Sequence, residues 1–446
     1  MKNLILEGTP QYEQVLSERT YNARRPNRRP FAVLLAEGER EVFEGVRLAQ
    51  RYGWQVAVRS SGHSWSSWPL QDNALLIDVK GLREFSYDPE TQIAQAGPGV
   101  LGGTELRPFL AQVGRFVPTG HHHTVGLGGY LLCGGHAWAT RGFGWSAEYV
   151  TAVDVVTADG RLLRADASQN SDLYWAARGA GPAFPGVVTR YHLRTRPLPG
   201  HIAHSTQLYP IEVYDQVMPW LIREHRKLGS TVEVFAFRFP SHPLAPGHQG
   251  NLLGVTALSF ADTAKQASAE LAPLEAAPSL RQALVHMVAE PTSIERYISE
   301  IVDDPETPEY GKVRTLATNA WIDAPADQAA KLMRRTFFDA DIPDALVFWS
   351  GFAPLRELPD MAFDMQSESY FVIAVMPRGE SDDERLLQWR DDRMRELKDV
   401  TVGQYIGEVD QNVQSPRFMS EDHYERLSQV VRRYDAECRF VRYPAR

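Results

Sequence analysis

The first half of the chain alternates amphipathic and apolar segments at the spacing of helices and strands. Residues 41–50 carry apolar side chains at Val42, Val46 and Ala49, one face of a helix. The apolar run 55–61 follows and predicts a strand that ends in a Ser-Gly turn. Further strands are predicted at 75–79 and 92–96.

Two local signals add a helix start and a hairpin. Thr104 precedes the apolar positions of 106–113 and predicts the N-cap of a helix, because a threonine hydroxyl can accept from a free N–H group of the first turn. Asp159-Gly160 stands between the runs 149–156 and 161–164. This dipeptide suits the positive φ angles of a tight turn, so it predicts a β-hairpin.

The second half has a different pattern. Glycine is dense from 97 to 186 and rare from 254 to 351, and the Pro-rich segment 194–200 interrupts the chain between them. Beyond it, β-rich runs alternate with amphipathic stretches, which predicts an α+β unit with an antiparallel sheet backed by helices. The predicted strands are 232–239, 252–260 and 370–375, and the predicted helices are 327–338 and 383–397.

Composition narrows the class of protein. With 446 residues, 43% hydrophobic and 23% charged, the chain predicts a large, two-lobed globular protein. The net charge of −9 argues against a nucleic-acid partner, and two cysteines are too few for a disulfide framework. No segment approaches the roughly 20 apolar residues of a membrane span, and the first residues lack a signal-peptide core. We therefore expect a cytoplasmic protein without a membrane partner.

The segment that indicates a binding site is VRSSGHS, residues 58–64, which directly follows a predicted strand. Successive small residues let backbone N–H groups converge on an anion, as in turns that hold a pyrophosphate. Further motifs follow in order: AGPG (96–99), HTVGLGGYLLCGGHAW (123–138), RGFG (141–144) and FPGVVT (184–189). Over about residues 28–199 these motifs resemble the vanillyl-alcohol oxidase / p-cresol methylhydroxylase (PCMH) flavoprotein family, and most closely its branch with berberine bridge enzyme and 6-hydroxynicotine oxidase.

The resemblance implies an α+β fold class in three parts. Residues 28–199 would form a PCMH-type FAD-binding domain of two small α/β subdomains. Residues 200–400 would form a substrate domain, an antiparallel sheet backed by helices. Residues 401–446 would return to the FAD domain.

The resemblance also assigns cofactor contacts. His63 matches the histidine that bonds covalently to the 8α-methyl group of the flavin. A second, cysteinyl link of many relatives falls in the string GHHHTVG, where this chain has His122, so we expect FAD held by a single link through His63. The other implied cofactor contacts are Arg59, Ser60, Ser61, Gly62, Ser64, Gly99, Gly120, His122, His123, Thr124, Gly126, Gly129, Tyr130, Gly134, His136, Val188 and Tyr405.

The C-terminal string QYIGEVD, residues 404–410, is similar to a strand of the same branch, with Gly407 and Glu408 in place of the usual asparagine and tyrosine. Glu408 is the expected catalytic base, because a partly buried carboxylate can have its pKa raised toward working pH and accept a substrate proton. Tyr405 is expected to orient or pack at the site. The alternative for Glu408 is a pair with an arginine such as Arg417, or plain solvation.

Alternation along the strands of the second half identifies candidate pocket walls, although core packing is the favoured role for each. The wall candidates are Glu233, Phe235, Phe237, Trp349 and Tyr370. Cys133 is expected to be a buried small hydrophobe.

The predicted function is an FAD-dependent oxidoreductase, an oxidase that removes hydride from an alcohol or amine carbon of a small molecule and passes the electrons to O2. A dehydrogenase that uses a carrier and a tailoring or cyclising oxidase of secondary metabolism are alternatives within the family. Two readings lie outside it: a metal-binding protein built on His121, His123 and His136, and a flavoprotein that keeps its cofactor for structure alone.

Overall fold

The computed structural model describes residues 3–302, 311–411 and 417–443, with the side chains of 301 and 302 excepted. The strands of the first half are β1 (Leu4–Leu6), β2 (Ala32–Leu35), β3 (Gln55–Arg59), β4 (Ala74–Asp78), β5 (Phe85–Asp88), β6 (Ile93–Ala96), β7 (Arg115–Phe116), β8 (Val150–Thr157), β9 (Leu162–Asp166), β10 (Gly186–Arg194) and β11 (Arg196–Pro197). Its helices are α1 (Pro10–Glu18), α2 (Glu39–Tyr52), α3 (Arg107–Gln112), α4 (Leu127–Leu132), α5 (Thr140–Phe143) and α6 (Ser171–Ala176).

These strands form two sheets. The first has the order β1-β2-β4-β3, in which β2, β4 and β3 are parallel because α2 carries the chain across between β2 and β3. The second, antiparallel, has the order β5-β6-β10-β8-β9. The predicted helix and strands are confirmed within a few residues, and β8 and β9 form the predicted hairpin. The apolar stripe Val42, Val46 and Ala49 of α2 is fully buried.

The prediction that Thr104 caps a helix is wrong. The helical segment begins earlier, as a π-helical turn over Gly102–Leu106 that continues into α3. Thr104 lies inside this turn, and Glu105 instead accepts from the N–H of Leu101 at 2.8 Å. Gly103 allows the early start, since a Cβ there would lie 2.6 Å from the Cα of His123.

The second half is built on one antiparallel sheet of eight strands. Its strands are β12 (His201–Pro210), β13 (Val232–Phe239), β14 (Leu252–Ala261), β15 (Val285–Pro291), β16 (Leu316–Ile322), β17 (Ala345–Gly351), β18 (Ser369–Val375) and β19 (Thr401–Gly403), in the order β15-β12-β14-β13-β17-β18-β16-β19. Its helices are α7 (Tyr214–Glu224), α8 (Ala264–Leu271), α9 (Ile294–Tyr297), α10 (Ala326–Phe338) and α11 (Glu380–Arg395). Helices α7, α8, α10 and α11 contribute to the core on one face of the sheet. The α+β fold class is confirmed.

The segment around Phe440 lies against the first sheet. After helix α12 (Glu421–Tyr434), Phe440 forms a parallel bridge with Val56 of β3. We propose the division 28–199, 200–400 and 401–446 as domains, with the addition that β1 pairs with β2 and so extends the first sheet ahead of residue 28. Part of the third segment, 412–416 and 444–446, lies outside the described residues. Within the described ranges, no helix has both the length and the apolar character needed to cross a bilayer.

Candidate active site

A cavity of about 1340 Å³ lies between the first half of the chain and the face of the large sheet opposite helices α7, α8, α10 and α11. It also touches the turn Ile406–Glu408. Most of the residues singled out from the sequence line this one cavity. They are Arg59, Ser60, Ser61, Gly62, His63, Ser64, Gly120, His122, His123, Gly126, Gly129, Tyr130, His136, Val188, Tyr405 and Glu408.

The turn after β3 is fixed by its own small residues. Gly62 has φ +79°, and a Cβ there would lie 2.1 Å from the carbonyl oxygen of Arg19, so only glycine fits. Ser61 Oγ accepts from the N–H of Gly126 at 2.7 Å, and Ser60 Oγ donates to the carbonyl of Pro98 at 2.6 Å. These bonds tie the turn directly to the neighbouring glycine-rich segments that contain Pro98 and Gly126.

His63 is held at the cavity wall. Its Nε2 lies 2.7 Å from Thr124 Oγ1, and its ring stacks on Tyr21 at 4.7 Å between centroids. Burial, with a further contribution from His122, lowers the pKa of His63 well below its usual value. Burial also lowers the pKa of His122 to about 4. Both imidazoles are therefore neutral at pH 7. The sequence carried no signal for the part played by Tyr21.

Four of the residues predicted to contact the cofactor do not face the cavity with a side chain. The Arg59 guanidinium is buried in an ion pair with Asp78 at 2.7 Å, so only its backbone is available at the cavity. Gly99 and Gly134 lie outside the lining; a Cβ on Gly99 would lie 2.4 Å from the carbonyl of Lys80, and Gly134 packs against the Phe363 ring. These two glycines shape the backbone. Thr124 is also outside the lining, and it bonds to His63.

Glu408 projects from the short turn Ile406–Glu408 toward the large sheet. Its Oε2 accepts from Tyr370 Oη at 2.7 Å, and its Oε1 lies 3.6 Å from His136 Nδ1. The side chain is 24% exposed. Arg417, the alternative partner expected from the sequence, is exposed, and Glu408 is engaged by Tyr370 and His136 instead.

The ionisation of Glu408 differs from the expectation. Burial acts to raise its pKa, but the His136 imidazole and the Tyr370 hydroxyl outweigh it, and the pKa is lowered below its ordinary value of 4.5. The expected rise toward working pH is therefore wrong in direction. The carboxylate is ionised at neutral pH, which is the form that accepts a proton.

The turn that carries Glu408 is anchored by Asn319 of β16. Asn319 Nδ2 donates to the carbonyls of Tyr405 and Glu408, both at 2.9 Å, and its Oδ1 accepts from the N–H of Tyr405 at 2.7 Å. A buried asparagine within the apolar run LATNAWI was the signal in the sequence that could have identified it.

Tyr405 is buried beside this turn, with 3% of its surface exposed. Its hydroxyl accepts from the backbone N–H of His136 at 3.1 Å, and burial raises its pKa well above the usual value. The ring nitrogen His136 Nε2 is buried without a hydrogen-bond partner among the described residues.

The metal-binding alternative named a set of residues that the structure does not bring together. Ligand atoms of His121, His136 and Glu233 lie within 4.8 Å of one another, and His123 is not part of this group. His121 Nε2 is already 2.8 Å from Glu233 Oε1, and Glu233 Oε2 accepts from the N–H of Ala139 at 3.2 Å. Hydrogen bonding thus accounts for the close approach of His121 and Glu233.

The expected walls are partly right. Phe235 and Phe237 line the cavity, while Tyr370 and Glu233 reach it through their bonds to Glu408 and His121. Trp349 has the core-packing role instead: it is fully buried on the helix side of the sheet, and its neighbour Phe348 lines the cavity. Trp349 and Phe348 are adjacent in β17 and therefore point to opposite faces of the sheet.

Cys133 follows α4 and is half-buried. It packs beside two of the apolar clusters while it also borders the cavity. Burial raises the pKa of its thiol to about 12, so it is not a thiolate at neutral pH.

The site has features that fit FAD. Its volume exceeds the roughly 300–1,000 Å³ of common small-molecule pockets, as a dinucleotide with a substrate beside it requires. The glycine-dependent turn allows close backbone approach, and neutral His63 stands on its wall. His136 Nε2 is a buried polar atom that lacks a protein partner in the described chain.

Comparison with known proteins agrees with this fit. Residues 30–166 match the family model of an FAD binding domain. FAD-linked oxidoreductase nodO from Hypoxylon pulicicidum is 33% identical over 94% of this chain and 92% of its own length, and ptmO from Penicillium ochrochloron is 32% identical over 97% and 94%. The solved structure of 6-hydroxy-D-nicotine oxidase from Arthrobacter nicotinovorans has a TM-score of 0.84 at 19% identity, covering 99% of this chain and 97% of the other. The resemblance is thereby confirmed: the chain belongs to the FAD-linked oxidoreductases, and it has the fold of 6-hydroxy-D-nicotine oxidase.

Proposed function

We propose that this enzyme is an oxidase that removes a hydride from an alcohol or amine carbon of a small organic substrate, with FAD attached through His63 alone and O2 as the final electron acceptor. The observation that carries the proposal is the ionised carboxylate of Glu408 in the cavity, held between Tyr370 and His136.

Glu408 acts as the base. As the substrate C–H bond breaks, Glu408 takes the proton of the neighbouring O–H or N–H group, so that the carbon is left as a carbonyl or imine. FAD, when bound, supplies the acceptor for the hydride. Tyr370 orients one carboxylate oxygen, and Asn319 fixes the turn that bears the side chain.

His63 is the proposed point of attachment. Its neutral imidazole is the nucleophilic form, and Thr124 and Tyr21 hold its ring at the cavity wall. By the family resemblance, His122 stands at the sequence position where many relatives have the cysteine of a second link, and its ring lies 4.8 Å from that of His63. A single link follows from this replacement.

The test is substrate reduction in the purified flavoprotein. A panel of alcohols and amines is screened for bleaching of the flavin without oxygen, and then for hydrogen peroxide formation in air. Bleaching followed by peroxide supports an oxidase. Reduced flavin that air leaves unchanged, but that a carrier dye reoxidises, identifies a dehydrogenase. A flavin that no substrate reduces favours a cofactor kept for structure alone. The cytoplasmic location is a separate prediction, which this test does not address.

A further inference from the structure

The cavity extends far beyond Glu408, along one strand of the large sheet. In β13, alternate side chains point to the same face, and this face carries Glu233 followed by Phe235, Phe237 and Phe239. The three phenylalanines, here called the phenylalanine row, all line the cavity. At about 3.4 Å per residue the row extends roughly 14 Å from Phe235 to Phe239.

The neighbouring strands continue the same apolar surface. Phe348 of β17 stands opposite Phe237 in the sheet register, and their ring centroids are 5.5 Å apart. Within the row, consecutive rings lie 5.3 and 5.5 Å apart. Leu346 of β17 and Val372 and Ala374 of β18 complete the lining on this side.

Polar groups lie at the two ends of this surface and not along it: Ser241, Asp344 and Arg378 line the cavity beyond Phe239, and a second group lies near Glu408. Glu233 begins the row and bonds to His121, and Ser350 and Tyr370 lie at the level of Phe235 in the sheet register. Tyr370 in turn bonds to Glu408. Arg238, which also touches the cavity, donates its guanidinium hydrogens to the carbonyls of Asp339, Ile342 and Ala345 and is thereby occupied.

This distribution selects between two kinds of substrate. A sugar placed along the row would bury hydroxyl groups against phenyl rings and lose hydrogen bonds to water without replacement. An apolar body would lose nothing there and would gain by leaving water. A hydroxyl or amine at its end would still meet the polar groups around Glu408.

We infer that the substrate is an elongated apolar molecule with one hydroxyl- or amine-bearing carbon at its end, and that its body lies along the phenylalanine row with that carbon at Glu408. The assignment of the reacting end rests on the proposed function.

The test measures binding alone, in the holoenzyme, by calorimetry. The probes are the methyl ethers of 1-butanol to 1-octanol, which lack the O–H proton that Glu408 would take, with xylobiose as the polar comparison. Affinity is expected to rise about fourfold with each methylene until the chain exceeds the row. Affinity independent of chain length, or tighter binding of xylobiose than of the octyl ether, overturns the inference.

Matched variants test whether the gain in affinity comes from contact with the phenylalanine row. Leucine and asparagine are close in size, so Phe237→Asn and Phe237→Leu differ mainly in polarity. Phe237→Asn is expected to weaken binding of the octyl ether about tenfold or more, while Phe237→Leu stays within about threefold. Phe348→Asn and Phe348→Leu repeat the comparison from the neighbouring strand, with thermal unfolding as the check on folding. Equal effects of asparagine and leucine at both positions contradict the inference.

Failure here is distinguishable from failure of the proposed function. A chain-length dependence in an enzyme that oxidises no alcohol leaves the apolar binding surface standing and removes the oxidase proposal. Alcohol oxidation that depends on Glu408, without any chain-length dependence in binding, supports the oxidase proposal and contradicts the apolar binding surface.

Discussion

The hydroxyl of Tyr370 donates a 2.7 Å hydrogen bond to Glu408 Oε2 and so joins the large sheet to the C-terminal segment at the site. Tyr370 lies in β18, whereas Glu408 lies on a turn that follows β19. The carboxylate is therefore oriented by a strand that lies well before it in the sequence. Any shift of this turn relative to the sheet would change the direction in which the Glu408 carboxylate points.

Replacing Glu408 tests its role directly. Glu408→Gln keeps the shape of the side chain but cannot accept a proton, and we expect kcat to fall by about 10²–10⁴ with a much smaller change in KM. Tyr370→Phe, which removes only the orienting bond, should cost less. Steady-state kinetics with a substrate found in the panel give both values. A Glu408→Gln enzyme with the kcat of its parent would exclude Glu408 as the base.

The pH dependence follows from the lowered pKa of Glu408. A depressed pKa means that the ionised base persists as pH falls and is lost only below the ordinary value of 4.5. We expect kcat/KM to hold from neutral pH down to about this value, and Tyr370→Phe to move the acid limb upward, because the hydroxyl stabilises the ionised form. Circular dichroism at each pH separates this loss from unfolding. An acid limb in the parent enzyme near pH 7 would contradict the assignment.

The covalent link is tested by acid precipitation and peptide mass spectrometry. In the parent protein we expect yellow colour in the pellet and a flavin mass on the peptide that contains His63. His63→Ala should release the flavin to the supernatant. His122→Ala is the matched control, since its ring lies 4.8 Å from His63 and should leave the link in place. Flavin on Cys133 would show that a second link exists after all.

Two glycines with similar backbone angles give a test of the cofactor turn. Gly62 has φ +79° and Gly53 has φ +70°, but a Cβ on Gly62 would meet the Arg19 carbonyl oxygen at 2.1 Å, whereas a Cβ on Gly53 meets nothing within 4 Å. Gly53→Ala should cost only the backbone strain, about 1–3 kcal/mol. Gly62→Ala should cost more and also reduce flavin content. Urea unfolding and the flavin-to-protein absorbance ratio measure both, and equal losses would disprove the steric argument.

The sequence was most informative where function depends on the backbone. The turn VRSSGHS was predictable, because Gly62 and the small residues around it have few alternatives in a tight cradle. Side-chain partnerships between distant segments were not predictable. Nothing in the local pattern relates His121 to Glu233, and a strand period of two left the face of Trp349 and Phe348 undecided until the sheet was formed.

The pairing of Phe440 with Val56 has a consequence for biogenesis. Val56 belongs to β3, the strand that leads into the cofactor turn and lies at the edge of its sheet. Its partner Phe440 stands far later in the sequence, and closing so long a loop carries a large entropic cost. Until synthesis reaches this point, β3 has an unpaired edge. We therefore expect the turn that should receive FAD to reach its final form after the rest of its sheet, once the segment around Phe440 has paired with β3.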